Sequence, residues 1–170
     1  MPDKIFLKPG QLYFGGDDLM VETILGPCIA IVIWYPKHRQ GGMCHFQLPE
    51  RGSGKVNRKD LDGRYCNEAW AWLSLQSLRI GTLITHAEIT LFGGANSLKM
   101  PGGKGQNDVG QRNIDYILRL LSNLGIKNYR QDLGGTGFRV IRFNPYKGET
   151  WVKRGSPLLQ DNSAEIDSWP

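Results

Sequence analysis

A cysteine and a histidine stand out, each at an apolar, strand-like run bordered by glycine. Cys28 ends Glu22-Thr23-Ile24-Leu25-Gly26-Pro27-Cys28 and opens Ile29-Ala30-Ile31-Val32-Ile33-Trp34-Tyr35, and His45 lies in Gly41-Gly42-Met43-Cys44-His45-Phe46-Gln47-Leu48-Pro49. A thiol attacks an acyl carbon as its thiolate, and a free thiol with a pKa of about 8.5 is only slightly ionised at neutral pH. A neighbouring imidazole takes the thiol proton, stabilises the resulting charge pair and later delivers the proton to a poor leaving group such as ammonia. Spacing permits this contact without requiring it. A hairpin turning at Pro36-Lys37 sets positions 28 and 45 opposite each other, whereas a longer loop through Gly41-Gly42 moves His45 toward Val32 or Ile33. Strand alternation puts Cys44 and His45 on opposite faces, so only one of them can face Cys28. Histidine is the useful one, and Cys44, like Cys66, reads as a small core residue.

The elements that must position this pair are strands and two helices. Ile5 to Leu7 and Leu12 to Phe14 flank Pro9-Gly10 and suggest an early hairpin. Ile29 to Tyr35 is β-branched and nearly uninterrupted, as expected of a strand buried on both faces. Helical spacing of Tyr65, Ala69, Trp72, Leu73 and Ile80 predicts a helix from Arg64 to Ile80, with Asp62 as its cap and Gly81 as its stop. Ala87 to Phe92 is a further strand ending at Gly93-Gly94. A second helix is predicted from Val109 to Leu124, capped by Asp108, faced by Ile114, Ile117, Leu118 and Leu121, and stopped by Gly125. Strands follow at Asn128 to Leu133, Phe138 to Phe143 and Thr150 to Val152, the last two joined through Tyr146-Lys147-Gly148. The expected fold is α+β: mixed β-sheets in a sandwich-like single domain over residues 1–154, with two main helices packed on the faces. Residues 155–170 read as a loosely held tail.

Composition narrows the function. A chain of 170 residues buries a sizeable core without disulfides or metal. No apolar run approaches the roughly 20 residues that span a bilayer, and the first residues lack a signal-peptide order, so a cytoplasmic protein without membrane insertion is expected. Three cysteines without a CxxC pair read as free thiols of a reducing compartment. The net charge of +5 is dispersed, which argues against a nucleic-acid stripe and leaves room for steering toward an acidic partner. No metal is expected, because Cys28, Cys44 and His45 include adjacent strand residues and lack a fourth ligand. No cofactor is expected either. Lys104 in Pro101-Gly102-Gly103-Lys104-Gly105 lacks the Ser or Thr and the glycine spacing of a phosphate loop. His38, in the loop between the two runs, reads as a solvent-exposed residue, and His86 before a strand has no recognisable acidic or thiol companion in sequence.

The ordered set of motifs resembles the CheD family of chemoreceptor glutamine deamidases. It comprises Leu25-Gly26-Pro27-Cys28, Gly42-Met43-Cys44-His45-Phe46-Gln47-Leu48-Pro49, Arg64-Tyr65, Leu91-Phe92-Gly93-Gly94-Ala95, Gly110-Gln111-Arg112-Asn113, Asp132-Leu133-Gly134-Gly135 and Gly137-Phe138-Arg139. The resemblance implies a protein-glutamine glutaminase that converts selected glutamines of methyl-accepting chemotaxis receptors to glutamate through a cysteine thioester. It implies Cys28 and His45 as the catalytic pair and a threonine upstream, best matched by Thr23, as third member. The Cys28 N–H is the natural oxyanion donor. Pro27 stands where the family usually carries serine, which fixes φ and removes a hydroxyl. Gly93, Gly94, Gly134, Gly135 and Gly137 are expected to supply turns or close backbone approach, and Gln111, Arg112 and Asn113 to hold adjoining loops. The family also implies the CheC phosphatase as a partner, so the alternative is a non-catalytic chemotaxis adaptor that binds CheC or receptors.

Overall fold

The structure, a computed structural model, describes residues 3–52, 55–96 and 108–156. In chain order its elements are β1 (Lys4–Phe6), β2 (Leu12–Gly15), β3 (Met20–Leu25), β4 (Ile29–Tyr35), β5 (Gln40–Cys44), α1 (Cys66–Arg79), β6 (Glu88–Gly93), α2 (Val109–Asn123), β7 (Arg130–Leu133), β8 (Phe138–Asn144) and β9 (Glu149–Gly155). A single 3-10 turn at Ile84–His86 precedes β6. The strands form two mixed sheets, ordered β1-β3-β8-β9 and β2-β5-β4-β6-β7. The segment around Lys104 and residues 157–170 of the expected tail lie outside the described residues.

β4 explains the layering. Its alternate side chains Ile29, Ile31, Ile33 and Tyr35 join Cys66, Ala69 and Leu73 of α1 and Ile114, Ile117 and Leu121 of α2 in one buried cluster. The intervening Ala30 and Val32 pack with Val21, Leu25, Ile141 and Phe143 of the other sheet. The continuous apolar run therefore follows from burial on both faces, each fully covered Ile contributing about 1.5–3 kcal/mol. The order is four-stranded sheet, five-stranded sheet, helices, with both helices on the same outer face of the five-stranded sheet. α2 is capped as predicted: the Asp108 side chain accepts from the Gln111 N–H at 3.1 Å, and Gly125 follows at φ +72°.

Two local expectations are corrected. The segments around Pro9-Gly10 do not form a hairpin: β1 pairs parallel with β3, and β2 pairs antiparallel with β5 in the other sheet. Buried Leu7 anchors the crossing in the inter-sheet core, and the Gly10 N–H donates to the His45 carbonyl at 2.7 Å. A Pro-Gly turn between short apolar runs reads the same locally in both topologies. Asp62 does not cap α1. The N-cap is Tyr65 without a side-chain cap, and the N–H groups of Cys66 and Asn67 donate instead to the carbonyls of Leu48 and Pro49 at 2.9 and 3.2 Å. Backbone from the segment after His45 thus satisfies the helix end, and the Asp62 carboxylate turns to Arg64. The structure also decides the register that spacing left open: Cys28 and His45 are not directly opposite. β4 and β5 pair Val32 with Met43, and the same register continues to an Ile29–Phe46 bridge. His45 therefore faces Ala30, two residues from Cys28, because the turn from Pro36 to Arg39 centres one residue later than Pro36-Lys37.

Candidate active site

The register places Cys28 and His45 on one face. The Ile29–Phe46 pair exchanges both backbone hydrogen bonds, at 3.1 and 2.9 Å, and both side chains point toward the helices. Their preceding neighbours Cys28 and His45 point to the opposite face, between the two sheets. They are diagonal cross-strand neighbours, a relation that spans about 7–8 Å between backbones and remains within reach of longer side chains. Cys44 and Cys66 are fully buried on the helix side. Alternation thus assigns His45, not Cys44, to the face of Cys28.

Thr23 reaches this face from the other sheet. Its Oγ1 lies 2.7 Å from His45 Nδ1 and 2.8 Å from the Leu7 carbonyl oxygen. A carbonyl only accepts, so the single hydroxyl proton of Thr23 goes to Leu7, and Oγ1 must accept from His45 Nδ1–H. The ring is then the Nδ1–H tautomer, and Nε2 carries a lone pair. That atom is buried without a hydrogen-bond partner among the described residues, so the Cys28 thiol does not bond to it in the resting arrangement. Thr23 is fully buried, His45 is 3% exposed and Cys28 is half-buried. Burial pushes the Cys28 thiol up to about 11 and the His45 imidazole down to about 4. Both groups rest neutral, a proton donor and an unprotonated base on one face. His38, in the turn between β4 and β5, and His86 are exposed, and neither bonds to Cys28 or His45.

Loops from both sheets brace Cys28. The Gly94 N–H donates to the Cys28 carbonyl at 2.9 Å and the Ala95 N–H to that of Gly26 at 3.0 Å. Gly93, at φ +114°, approaches so closely that a Cβ there would lie 2.1 Å from the Cys28 carbonyl oxygen. Glycine at this position is a steric requirement. Arg139, 1% exposed, donates to the carbonyls of Gly93 and Gly134 at 3.3 and 2.6 Å and pairs with Asp132. Asn113, fully buried on α2, donates through Nδ2 to the carbonyls of Pro27 and Gln47 at 3.1 and 2.9 Å.

Sequence reasoning missed two contributors. The Leu7 carbonyl sets the direction of the Thr23 hydroxyl, and as backbone it leaves no side-chain signal. Arg139 lay inside a recognised motif, yet a lone arginine in a strand does not disclose that it will be buried.

Residues 47–154 match the CheD family, described as CheD chemotactic sensory transduction. A probable chemoreceptor glutamine deamidase, CheD 3, of Dechloromonas aromatica is 37% identical over 149 residues, which cover 88% of this chain and 86% of its own. The corresponding CheD 2 of Albidiferax ferrireducens is 35% identical over 166 residues, covering 98% and 95%. The probable CheD deamidase of Pseudomonas savastanoi pv. phaseolicola is 38% identical over 154 residues, covering 88% and 84%.

Proposed function

The chain belongs to the CheD family, and from that premise we propose that it deamidates glutamine side chains of chemoreceptors, with Cys28 as nucleophile, His45 as acid–base and Thr23 as the residue that orients His45. The observation that carries the assignment is the Thr23 hydroxyl, committed as donor to Leu7 and therefore accepting from His45 Nδ1–H, which leaves the basic Nε2 on the face of Cys28.

The chemistry follows from the two neutral groups. As the glutamine carboxamide reaches Cys28, the thiol proton passes to His45 Nε2 and sulfur bonds to the carboxamide carbon. Negative charge on the former carbonyl oxygen meets the Cys28 N–H, which has no acceptor among the described residues. Imidazolium in this dry position is a strong acid, because burial favours its neutral form, and it protonates the departing nitrogen to release ammonia. The resulting thioester is attacked by water, whose proton goes to Nε2. The tetrahedral species then expels the Cys28 sulfur, which recovers its proton from His45 and leaves glutamate. Thr23 accepts from Nδ1–H throughout, so the ring cannot flip away from its task.

Incubation with a receptor cytoplasmic fragment is expected to convert specific glutamines to glutamate, a gain of about 1 Da per site in peptide mass spectra, and Cys28→Ala is expected to abolish it. Retained conversion in Cys28→Ala would refute the nucleophile. The half-buried Cys28 and the three free thiols support a cytoplasmic setting with a macromolecular substrate. None of the described helices is long and apolar enough to cross a membrane.

A second reading rests on the absence of a thiol–imidazole hydrogen bond at rest. In it, the chain is an adaptor that binds the CheC phosphatase or receptors without catalysis. Wild-type protein that binds CheC or receptor yet leaves every glutamine intact would establish the adaptor and overturn the enzyme.

A further inference from the structure

The antiparallel ladder between β4 and the strand leading to Phe46 stops at a defined point. Beyond the Ile29–Phe46 pair, the next residues able to exchange backbone bonds are Pro27 and Leu48. Proline has no N–H to give, and the Leu48 N–H is engaged with the Arg64 carbonyl at 3.0 Å. The Pro27 carbonyl is therefore left without a ladder partner. Asn113 supplies one: both protons of its Nδ2 are used, one on Pro27 and one on Gln47, so a side chain of α2 closes the gap where backbone pairing ends.

That carbonyl belongs to the same peptide unit as the Cys28 N–H. Among the described residues every peptide is trans, and in a trans unit C=O and N–H point in opposite directions. Holding the Pro27 oxygen toward α2 thus aims the Cys28 N–H away from α2. A hydrogen bond to the carbonyl also polarises the amide and strengthens its N–H as a donor. The other side of Cys28 is tied as well, its own carbonyl accepting from Gly94. Asn113 is fully buried and its position on α2 is fixed by close packing, since a Cβ on Gly110 would meet the Gly94 and Ala95 carbonyl oxygens at 2.6 and 2.4 Å.

We propose that Asn113 is a positioning residue for the deamidation: its carboxamide fixes the Pro27–Cys28 peptide so that the Cys28 N–H is presented to the oxyanion. This rests on Cys28 being the nucleophile. Asn113 itself touches no reacting atom. Its role differs from that of Thr23, which sets the base and not the oxyanion donor.

The two roles separate experimentally. In full-length Asn113→Ala, kcat for receptor-glutamine deamidation should fall about 10²-fold with KM within about twofold, the loss typical of one oxyanion donor. Alkylation of Cys28 by iodoacetamide needs the thiol and its base but no oxyanion site, and its rate should stay within about twofold of wild type across pH 6–9. Asn113→Ser retains one donor and should recover part of the loss. Rates are taken per titratable Cys28 thiol at a temperature where circular dichroism shows the variant folded, so loss of folded protein does not enter. Unchanged kcat overturns the proposal, as does a fall in alkylation that parallels kcat, which would make Asn113 a determinant of the thiol environment. Deamidation that survives Cys28→Ala is the distinct failure of the underlying nucleophile assignment.

Discussion

Cys28, immediately before β4, and Cys44, at the end of neighbouring β5, are thiols at one end of the same sheet region, and burial raises both, to about 11 and about 12. They differ in what surrounds them. Cys44 faces the helices, fully enclosed with Cys66, Ile31 and Phe46 in an apolar cluster. Cys28 faces the gap between the sheets, half-exposed, on the side where the Thr23 hydroxyl meets the His45 imidazole. Desolvation of a thiol therefore does not mark the reactive one. Access and an oriented base do, and on a strand both are decided by which face the residue occupies.

The largest effect expected from this contrast is in alkylation. Iodoacetamide should modify Cys28 on the order of 10³-fold faster than Cys44 or Cys66, which react only through opening of the helix-covered core. Peptide mapping over time measures the ratio, and comparable rates at Cys28 and Cys44 would break the comparison. Next in size is the loss of the orienting hydroxyl. Thr23→Val leaves His45 Nδ1–H and the Leu7 carbonyl without their partner and should lower kcat for deamidation about 10- to 100-fold, within the range of general acid–base contributions. It should cost about 1–3 kcal/mol of stability for the buried groups left unsatisfied. Thr23→Ser keeps the hydroxyl and should restore most of both, as steady-state kinetics and urea denaturation would establish.

The third effect, spread over a pH range and not seen at neutral pH, is a dependence of stability on acid arising at the inter-sheet side. His45 titrates at about 4 when folded and at about 6.5 when unfolded. Between those values the unfolded chain binds the extra proton, so stability is complete above about pH 6.5 and declines as the pH falls toward about 4, by on the order of 3 kcal/mol. Below that the contribution is flat. His45→Asn, whose Nδ2 can replace the Nδ1 donor to Thr23, should lose correspondingly less between pH 7 and 4.5 in urea titrations. An identical acid slope in both proteins would place the sensitivity elsewhere.

Legibility from sequence followed the range of the interactions. β4, α2 and its Asp108 cap were readable because a few consecutive residues carry the period, the cap and the stop. The cap of α1 was not, since its donors are met by the carbonyls of Leu48 and Pro49, from a segment that shows no capping side chain. The hairpin expected at Pro9-Gly10 failed for a related reason. Turn chemistry specifies that the chain reverses, whereas the burial of Leu7 decides which sheet receives each arm. At the site, alternation was enough to choose His45 over Cys44, but the register of the β4–β5 turn, and with it the diagonal relation of Cys28 to His45, required the folded strands.

The sequence by itself determined the residue types, their alternation, and the ordered motifs that marked a thiol, an imidazole and a threonine as one set. The tertiary structure decided how they act on one another. Thr23 meets Leu7 and His45 across 16 and 22 residues, and Asn113 reaches Pro27 across 86. Such contacts depend on how the two sheets stack and where α2 lies on them. Local periodicity extends over a few residues, so it could name these groups but not set the proton on Nδ1, the lone pair on Nε2 or the direction of the Cys28 N–H.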